Sequence, residues 1–569
     1  MNYPTFLNKV DGVTTRCDVD ALRRFTHELA RTVPESDRER FLTLLVGYCD
    51  IGKVMPSESE QPSHDLKAKV DEALRVLRLL EDGDRALEAE CNETWDDWCD
   101  DEEDEFEFSD PDGILDDVSE AFDLLHACLD QAEYVKGAEL ADALSALRIQ
   151  VSGDYMDYDD DALDIQGLVY RDLLQIDLKH CLKEAVYLAC MGNEAQRRAE
   201  AMLTILDGFD DYSVSLDEIL TTGPEEINLS ELLPSWIEAL AKRPEKHTDD
   251  LLVEAQGMLS DRQAVLNNAS LYAKTHPVLY RDVLASGFRG ASPDELAQIG
   301  LRGIKEVPNH HPMRATIALL TAKYALSLQD RPLVEHCWLE AFTTSPTVVN
   351  YLRLRLLTQS RDHCAASVRA AYESYYNSMS AWERKPLAVL MFFDGRFDEM
   401  LACFMSQKEG IGWSSTFMKE GIALLLMLTD MGNTERPGMK EMRNKAIEAC
   451  SFEASAYCQG TDIVCPDSNE ELFSDCFRAW RERLHLPQDQ CGKWLNKIKN
   501  WVSLRVDAIM DANRRNYYGE CAAFIAALGE VLESRGTPGV KQALMLQYKL
   551  NYSRRRAFHE ALREYGMRA

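Results

Sequence analysis

Apolar residues recur at steps of three and four along most of this chain, most densely in Met313–Leu357. Ile317, Leu320, Thr321, Tyr324 and Leu328 fall on one helical face, and Val334, Cys337, Trp338, Ala341 and Phe342 on another. A short break at Gln329–Arg331 separates these two helices, and Ser345-Pro346 precedes a third. One such hairpin cannot bury its apolar face alone, so the pattern predicts stacking on neighbouring hairpins.

The same period extends in both directions. Asp18–Arg31 and Ser36–Cys49 read as a first helix pair, and Asp65–Glu90 as a longer helix with Val70, Leu74, Leu77 and Leu80 in register. Ile114–Leu129 presents Val118, Phe122, Leu125 and Leu129 on one face, and helices are predicted again over Tyr134–Arg148, Leu182–Leu206 and Leu232–Ala241. From Leu251 to about Asp430 the helices are shorter and more even. Breaks fall near Thr275–Pro277, Gly290–Pro293, Pro308–Pro312, Gly395 and Gly410–Gly412. Long helices over Gln488–Asp511, Asn513–Arg535 and Val540–Tyr552, and a short one over Arg554–Tyr565, close the chain.

No segment sustains β alternation, so the sequence predicts an all-α protein. Its expected architecture is stacked helical hairpins, a degenerate tetratricopeptide-like α-solenoid, with an acidic N-terminal helical region. Trp338, Ala341 and Pro346 sit at suitable relative positions for a tetratricopeptide repeat, whereas the Gly and Tyr of its first helix do not line up. The breaker cluster Lys242–Thr248 and the loop Met431–Met439 suggest three domains. These are an acidic N-terminal helical domain over 1–245, a repeat array over 246–430, and a C-terminal helical domain over 431–569 that begins with a loop at 431–440.

Charge sharpens this picture. The 569 residues hold 62 Lys+Arg against 97 Asp+Glu, a formal net charge of −35. Such a field repels phosphate backbones and anionic lipid, so neither general nucleic-acid binding nor membrane association is expected. The start, MNYPTFLNKVDG, lacks the basic-then-apolar pattern of a secretory signal, and the longest apolar run, Ile422–Leu428, is too short to span a bilayer. A soluble, cytoplasmic protein is expected. The 16 cysteines are scattered, and Cys128, Cys337, Cys403 and Cys521 lie on apolar helix faces, where they read as reduced small hydrophobes.

The acidity is concentrated in an insertion over 91–112, CNETWDDWCDDEEDEFEFSDPD, with 12 acidic residues in 22. No Lys or Arg occurs from Ala86 through Val135. Its core, Asp100, Asp101, Glu102, Glu103, Asp104 and Glu105, is a candidate partner-binding segment for a basic groove. The preferred reading is a solvated loop whose Trp95, Trp98, Phe106 and Phe108 pack back on the body.

Several motifs fail on their chemistry. Gly47–Lys53 copies the first seven positions of a P-loop, but Val54 replaces the magnesium-binding Ser or Thr and no strand precedes it. Asp157, Asp159 and Asp161 copy an EF-hand, but Ala162 and Leu168 replace its Gly and bidentate Glu. Cys450, Cys458, Cys465, Cys476 and Cys491 contain no C-x-x-C pair, and the adjacent pairs His310-His311 and His336-Cys337 diverge on a helix. No catalytic, cofactor-binding or metal-ligating residue is nominated, and no cofactor is expected. Arg554–Arg556 either grips acidic groups or, the preferred reading, caps the last helices against the chain's own carboxylates.

The stretch RVDAIMDANRRNYYGECAAFIAALGEVLESR, Arg505–Arg535, together with Gly536–Met567, resembles the C-terminal tail of bacterial proteins that carry a SWIM zinc finger. DVDALRRFTHELARTVPESDRERFLTLL near the start, SGDYMDYDDDALD at Ser152–Asp164, and WLEAFTTSPTVVNYLRL resemble other parts of the same proteins. The C-x-C and C-x-H pairs of the finger are missing, so the resemblance implies only the helical-repeat body, a scaffold of little-defined role.

Two functions are expected. The first is a non-enzymatic helical-repeat scaffold whose concave face holds a protein partner with a basic surface. The second is a regulatory inhibitor released by site-specific proteolysis at an exposed loop, Pro437, Gly438, Met439 and Lys440. Protease substrates encoded with type III-E CRISPR systems are similar in size class and helical character, although no residue motif carries that analogy.

Overall fold

The computed structural model describes residues 63–81, 83, 85–91, 106–153, 162–359, 365–377, 379–380, 384–432, 435–484, 486 and 488–568. The chain divides into two compact units, Met1–Ala73 and Leu74–Ala569. The described part of the first is the opening of helix α1, Ser63–Glu81. The second is built almost wholly of helices: with α1, 26 α-helices occur among the described residues, beside one small sheet. The protein is an all-α, helical-repeat fold.

The central hairpin shows how the array is made. Helix α13, Met313–Ser327, packs on α12, Pro293–Glu306, and on α14, Arg331–Thr344. Asp330 caps α14 by accepting from the Leu333 amide at 3.1 Å, and Gln329 turns the chain in the left-handed region. All five apolar positions expected on α14 are buried. On α13, Ile317 and Thr321 are buried as expected, but Leu328 is exposed and Leu319 is buried instead. The reason is that α13 is flanked on two sides, so Ala318, Ala322 and Ala325 are buried too. On α12, Gly300 lies directly against Thr321, and Gly303 against Tyr280 and Ile317; side chains there would force the helices apart.

The sheet corrects the sequence reading. A single helix is expected over Asp65–Glu90, but α1 stops at Glu81, Gly83 turns the chain at φ +78°, and strand β1 comes next at Leu87–Cys91. Strand β2 is Phe106–Ser109, β3 is Ile149–Gly153, and β4 is Ala162–Leu163. Their order is β2-β1-β3-β4, with β1 antiparallel to β2, β1 parallel to β3, and β3 antiparallel to β4. β1, β2 and β3 alternate apolar and polar over so few residues, and β4 is so short, that none dominates a helical window. Leu87, Ala89, Ile149, Val151 and Leu163 are buried, while Glu88 and Glu90 face solvent.

The domain edges expected near 245 and 430 lie inside the second compact unit. At the first, Thr248 is fully buried in α9, Glu245–Met258, and lies 3.3 Å from the carbonyls of both Leu240 and Pro244. Across the second, the Trp338 indole donates to the Gly460 carbonyl at 2.9 Å, and Trp480 donates to the Phe393 carbonyl at 2.7 Å. Arg353, buried in α15, Val348–Leu357, donates to the carbonyls of Tyr457 and Ala456. Burial lowers its pKa to about 10, a cost offset by these carbonyls and by Asn350. These buried bonds join the array to the C-terminal helices, so the break near 430 is not a break in the core.

Candidate functional site

Pro437, Gly438, Met439 and Lys440 form no exposed loop. They are the first turn of α20, Pro437–Ala449, and Gly438 and Met439 are buried. Pro437 occupies the helix position where its missing N–H costs nothing. Glu530, on α24, Tyr518–Ser534, accepts from the Met439 amide at 2.8 Å and the Gly438 amide at 3.2 Å, and pairs with Lys541 at 2.5 Å. Gly438 presses on the backbone of Ala526 and Ala527. Before this turn, Arg436 pairs with Asp430 at 2.6 Å and donates to the Glu530 carbonyl at 2.5 Å. The expected loop is therefore a helical turn, fastened to another helix by a buried carboxylate, with Pro437 and Lys440 exposed. Beside it, Lys440, Arg443, Arg478, Glu435, Glu470 and Ser474 line an open cleft of about 570 Å³ whose charges are mixed.

Asp100, Asp101, Glu102, Glu103, Asp104 and Glu105 lie outside the described residues, as do the P-loop and EF-hand look-alikes up to Asp161. Chain connectivity still has a consequence. Residues 92–105 join β1 to β2, and residues 154–161 join β3 to β4. Because β1 and β3 run parallel, both acidic connections leave the same end of the sheet. Next in the chain, α2, Ile114–Asp130, presents Asp116, Glu120, Asp123 and Asp130 to solvent at helical spacing, with the opposite face buried.

A second cluster joins residues that no sequence motif marks. His126 on α2 meets His180 and Glu184 on α5, Leu178–Gly192. Glu184 Oε1 lies 2.7 Å from His126 Nδ1 and 3.1 Å from His180 Nε2. The glutamate side chain is 4% exposed, the two imidazoles 55% and 54%. His126 Nε2 faces Asp130 at 3.5 Å. Burial opposes protonation of His126, but the hydrogen bond and charge of Glu184, with Asp130 and Asp123, raise its pKa. Among the described residues this is the group whose nitrogen and oxygen atoms converge as metal ligands do, within 4.8 Å of one another. The i, i+4 spacing of His180 and Glu184 was the available signal. The partner, 54 residues away on α2, becomes visible only once α2 and α5 pack together.

The cysteines divide by depth. Cys128, Cys337 and Cys521 are buried as expected, and burial pushes their thiols up to about 11, 12 and 12. Cys403 is exposed, contrary to expectation. Arg555 donates to the Met510 carbonyl at 2.9 Å and to Asn513, so it caps the end of α23, Gln488–Asp511, through backbone rather than carboxylates. No helix among the described residues is long and apolar enough to cross a membrane. No family model, curated protein or solved structure matches this chain.

Proposed function

We propose that this protein is a non-enzymatic helical-repeat scaffold that binds a protein partner with a basic surface. The observation that carries the reading is the parallel pairing of β1 with β3. It brings two connections that together hold 14 carboxylates and no Lys or Arg to one end of the sheet. The acidic face of α2 opens at the other end of the sheet, where Arg85 pairs with Asp117 at 2.6 Å. Like charges gathered on one region of a rigid helical body cost self-repulsion, which a basic partner relieves. Asp100–Glu105 is then the centre of the contact. The SWIM-associated resemblance agrees with a scaffold role and names no partner.

The reading is tested by affinity capture of the full chain from its native lysate. Wild type is compared with a chain in which Asp100–Glu105 are neutralised to amides, and with Asp116→Asn/Glu120→Gln/Asp123→Asn. A basic protein recovered stoichiometrically by wild type and by the α2 variant, and lost from the Asp100–Glu105 variant or at raised salt, is the expected result. Recovery that is indifferent to the Asp100–Glu105 substitutions and to salt overturns it.

A further inference from the structure

We infer that His126, His180 and Glu184 form a binding site for a first-row divalent cation of the zinc class, which clamps α2 to α5. The site is independent of the partner-binding reading.

Four observations converge. First, the ligand set is right: two imidazole nitrogens and one carboxylate suit zinc and its neighbours rather than calcium or magnesium. Second, the donors point at one place. Both imidazoles direct a nitrogen to the same oxygen, Oε1 of Glu184, at 2.7 and 3.1 Å. Zinc bonds of about 2.1 Å in tetrahedral geometry set ligand atoms roughly 3.4 Å apart. Each imidazole nitrogen thus needs to move less than about 1 Å from Glu184 Oε1 to reach that spacing.

Third, one imidazole has a carboxylate behind it. Metal-bound histidines give their second ring N–H to a carboxylate or carbonyl, which fixes the ring. His126, with Nδ1 turned to the site, faces Asp130 through Nε2 at 3.5 Å. Fourth, among the described residues no Lys or Arg pairs with Glu184. Glu184 is buried, and its ion-pair partners are the two imidazoles, neither of which holds a fixed charge. Lys179, one residue before His180, pairs with Glu218 at 3.0 Å instead. A buried carboxylate in an acidic neighbourhood is stabilised by a divalent ion. The half-exposed imidazoles leave that ion an entry path and room for water in the remaining positions.

The test uses chelator-treated full-length protein, kept reduced, and Zn²⁺ as the titrant. Calorimetry should give one ion per chain for wild type. His126→Ala/His180→Ala should abolish that event, and Asp130→Asn should weaken it roughly ten- to a hundredfold. Glu184 is buried and its removal threatens the fold, so the decisive variants are the exposed histidines, with circular dichroism confirming that they stay helical. Co²⁺ in place of zinc should show d–d bands without thiolate charge transfer, and these should vanish in the double variant. No zinc uptake by wild type overturns the proposal. So does uptake by the double variant with wild-type affinity, or a thiolate-type cobalt spectrum.

Discussion

The indole N–H of Trp338 donates to the carbonyl of Gly460 at 2.9 Å across 122 positions of chain, and both groups are buried. Gly460 adopts φ +67°, and a Cβ there would stand 2.6 Å from the Leu319 carbonyl oxygen. Trp338→Phe should therefore destabilise the protein by about 2 kcal/mol or more, since it orphans a carbonyl and opens a void. Gly460→Ala should cost about 1–3 kcal/mol through backbone strain. Urea midpoints measure both effects. Amide exchange should accelerate over Ala454–Gly460 in each variant before it does in the hairpin itself.

Glu530 gives a sharper energetic test. It is buried, bound to two amides of α20 and paired with Lys541. Breaking one side of such a pair strands the other charge, so Glu530→Met or Lys541→Met should each cost about 3–5 kcal/mol. The double substitution should cost less than the sum of the two. Additive losses in a denaturation cycle would mean that the pair is not coupled.

The same hub governs proteolysis. With Gly438 and Met439 buried and Lys440 in the first helical turn, trypsin should leave the Lys440–Glu441 bond intact under native conditions. Peptide mapping of a limited digest decides it. Early cleavage after Lys440 would restore the exposed loop that the sequence suggested.

That loop shows what the sequence made legible and what it did not. The helix period located the elements well: α14 buries every position expected of it, and the breaks at 290–293, 308–312 and 395 fall between helices. Local chemistry, however, carries no information on distant partners. MGNTERPGM is rich in turn formers, yet its last three residues open a helix whose Gly438 and Met439 amides donate to Glu530, 92 and 91 residues away. The strands were lost because two to five residues cannot outweigh their helical surroundings. His126 and Glu184 are likewise ordinary amphipathic-helix residues until α2 and α5 pack.

The Tyr280–Glu306–Arg302 network provides a pH test. Burial raises the Glu306 pKa, but hydrogen bonds from Tyr280 at 2.6 Å, Arg302 at 3.0 Å and Ser270 outweigh it, so the value falls below the ordinary 4.5. A carboxylate depressed on folding contributes stability that is present above its unfolded value and is lost as pH falls through the folded one. Glu306→Gln should therefore be less stable than wild type at neutral pH, and the gap should narrow once the pH drops below about 4.5. Melting temperatures of the two proteins across that range measure it. A gap independent of pH would assign the effect to packing alone.

Thiol chemistry supplies the last test. The thiolate is the reactive form, so a thiol must be both accessible and deprotonated to alkylate. Cys403 and Cys465 are exposed, whereas Cys337 and Cys521 are buried and held near 12. Iodoacetamide under native conditions should label Cys403 and Cys465 first, with Cys337 and Cys521 protected until the fold opens. Trp338→Phe should bring the labelling of Cys337 forward, because both side chains are buried on α14 and the substitution loosens that helix's packing. Cys521, on α24, should be far less affected. Equal acceleration at both sites would mean that the hairpin and the C-terminal helices open as one cooperative unit rather than in sequence.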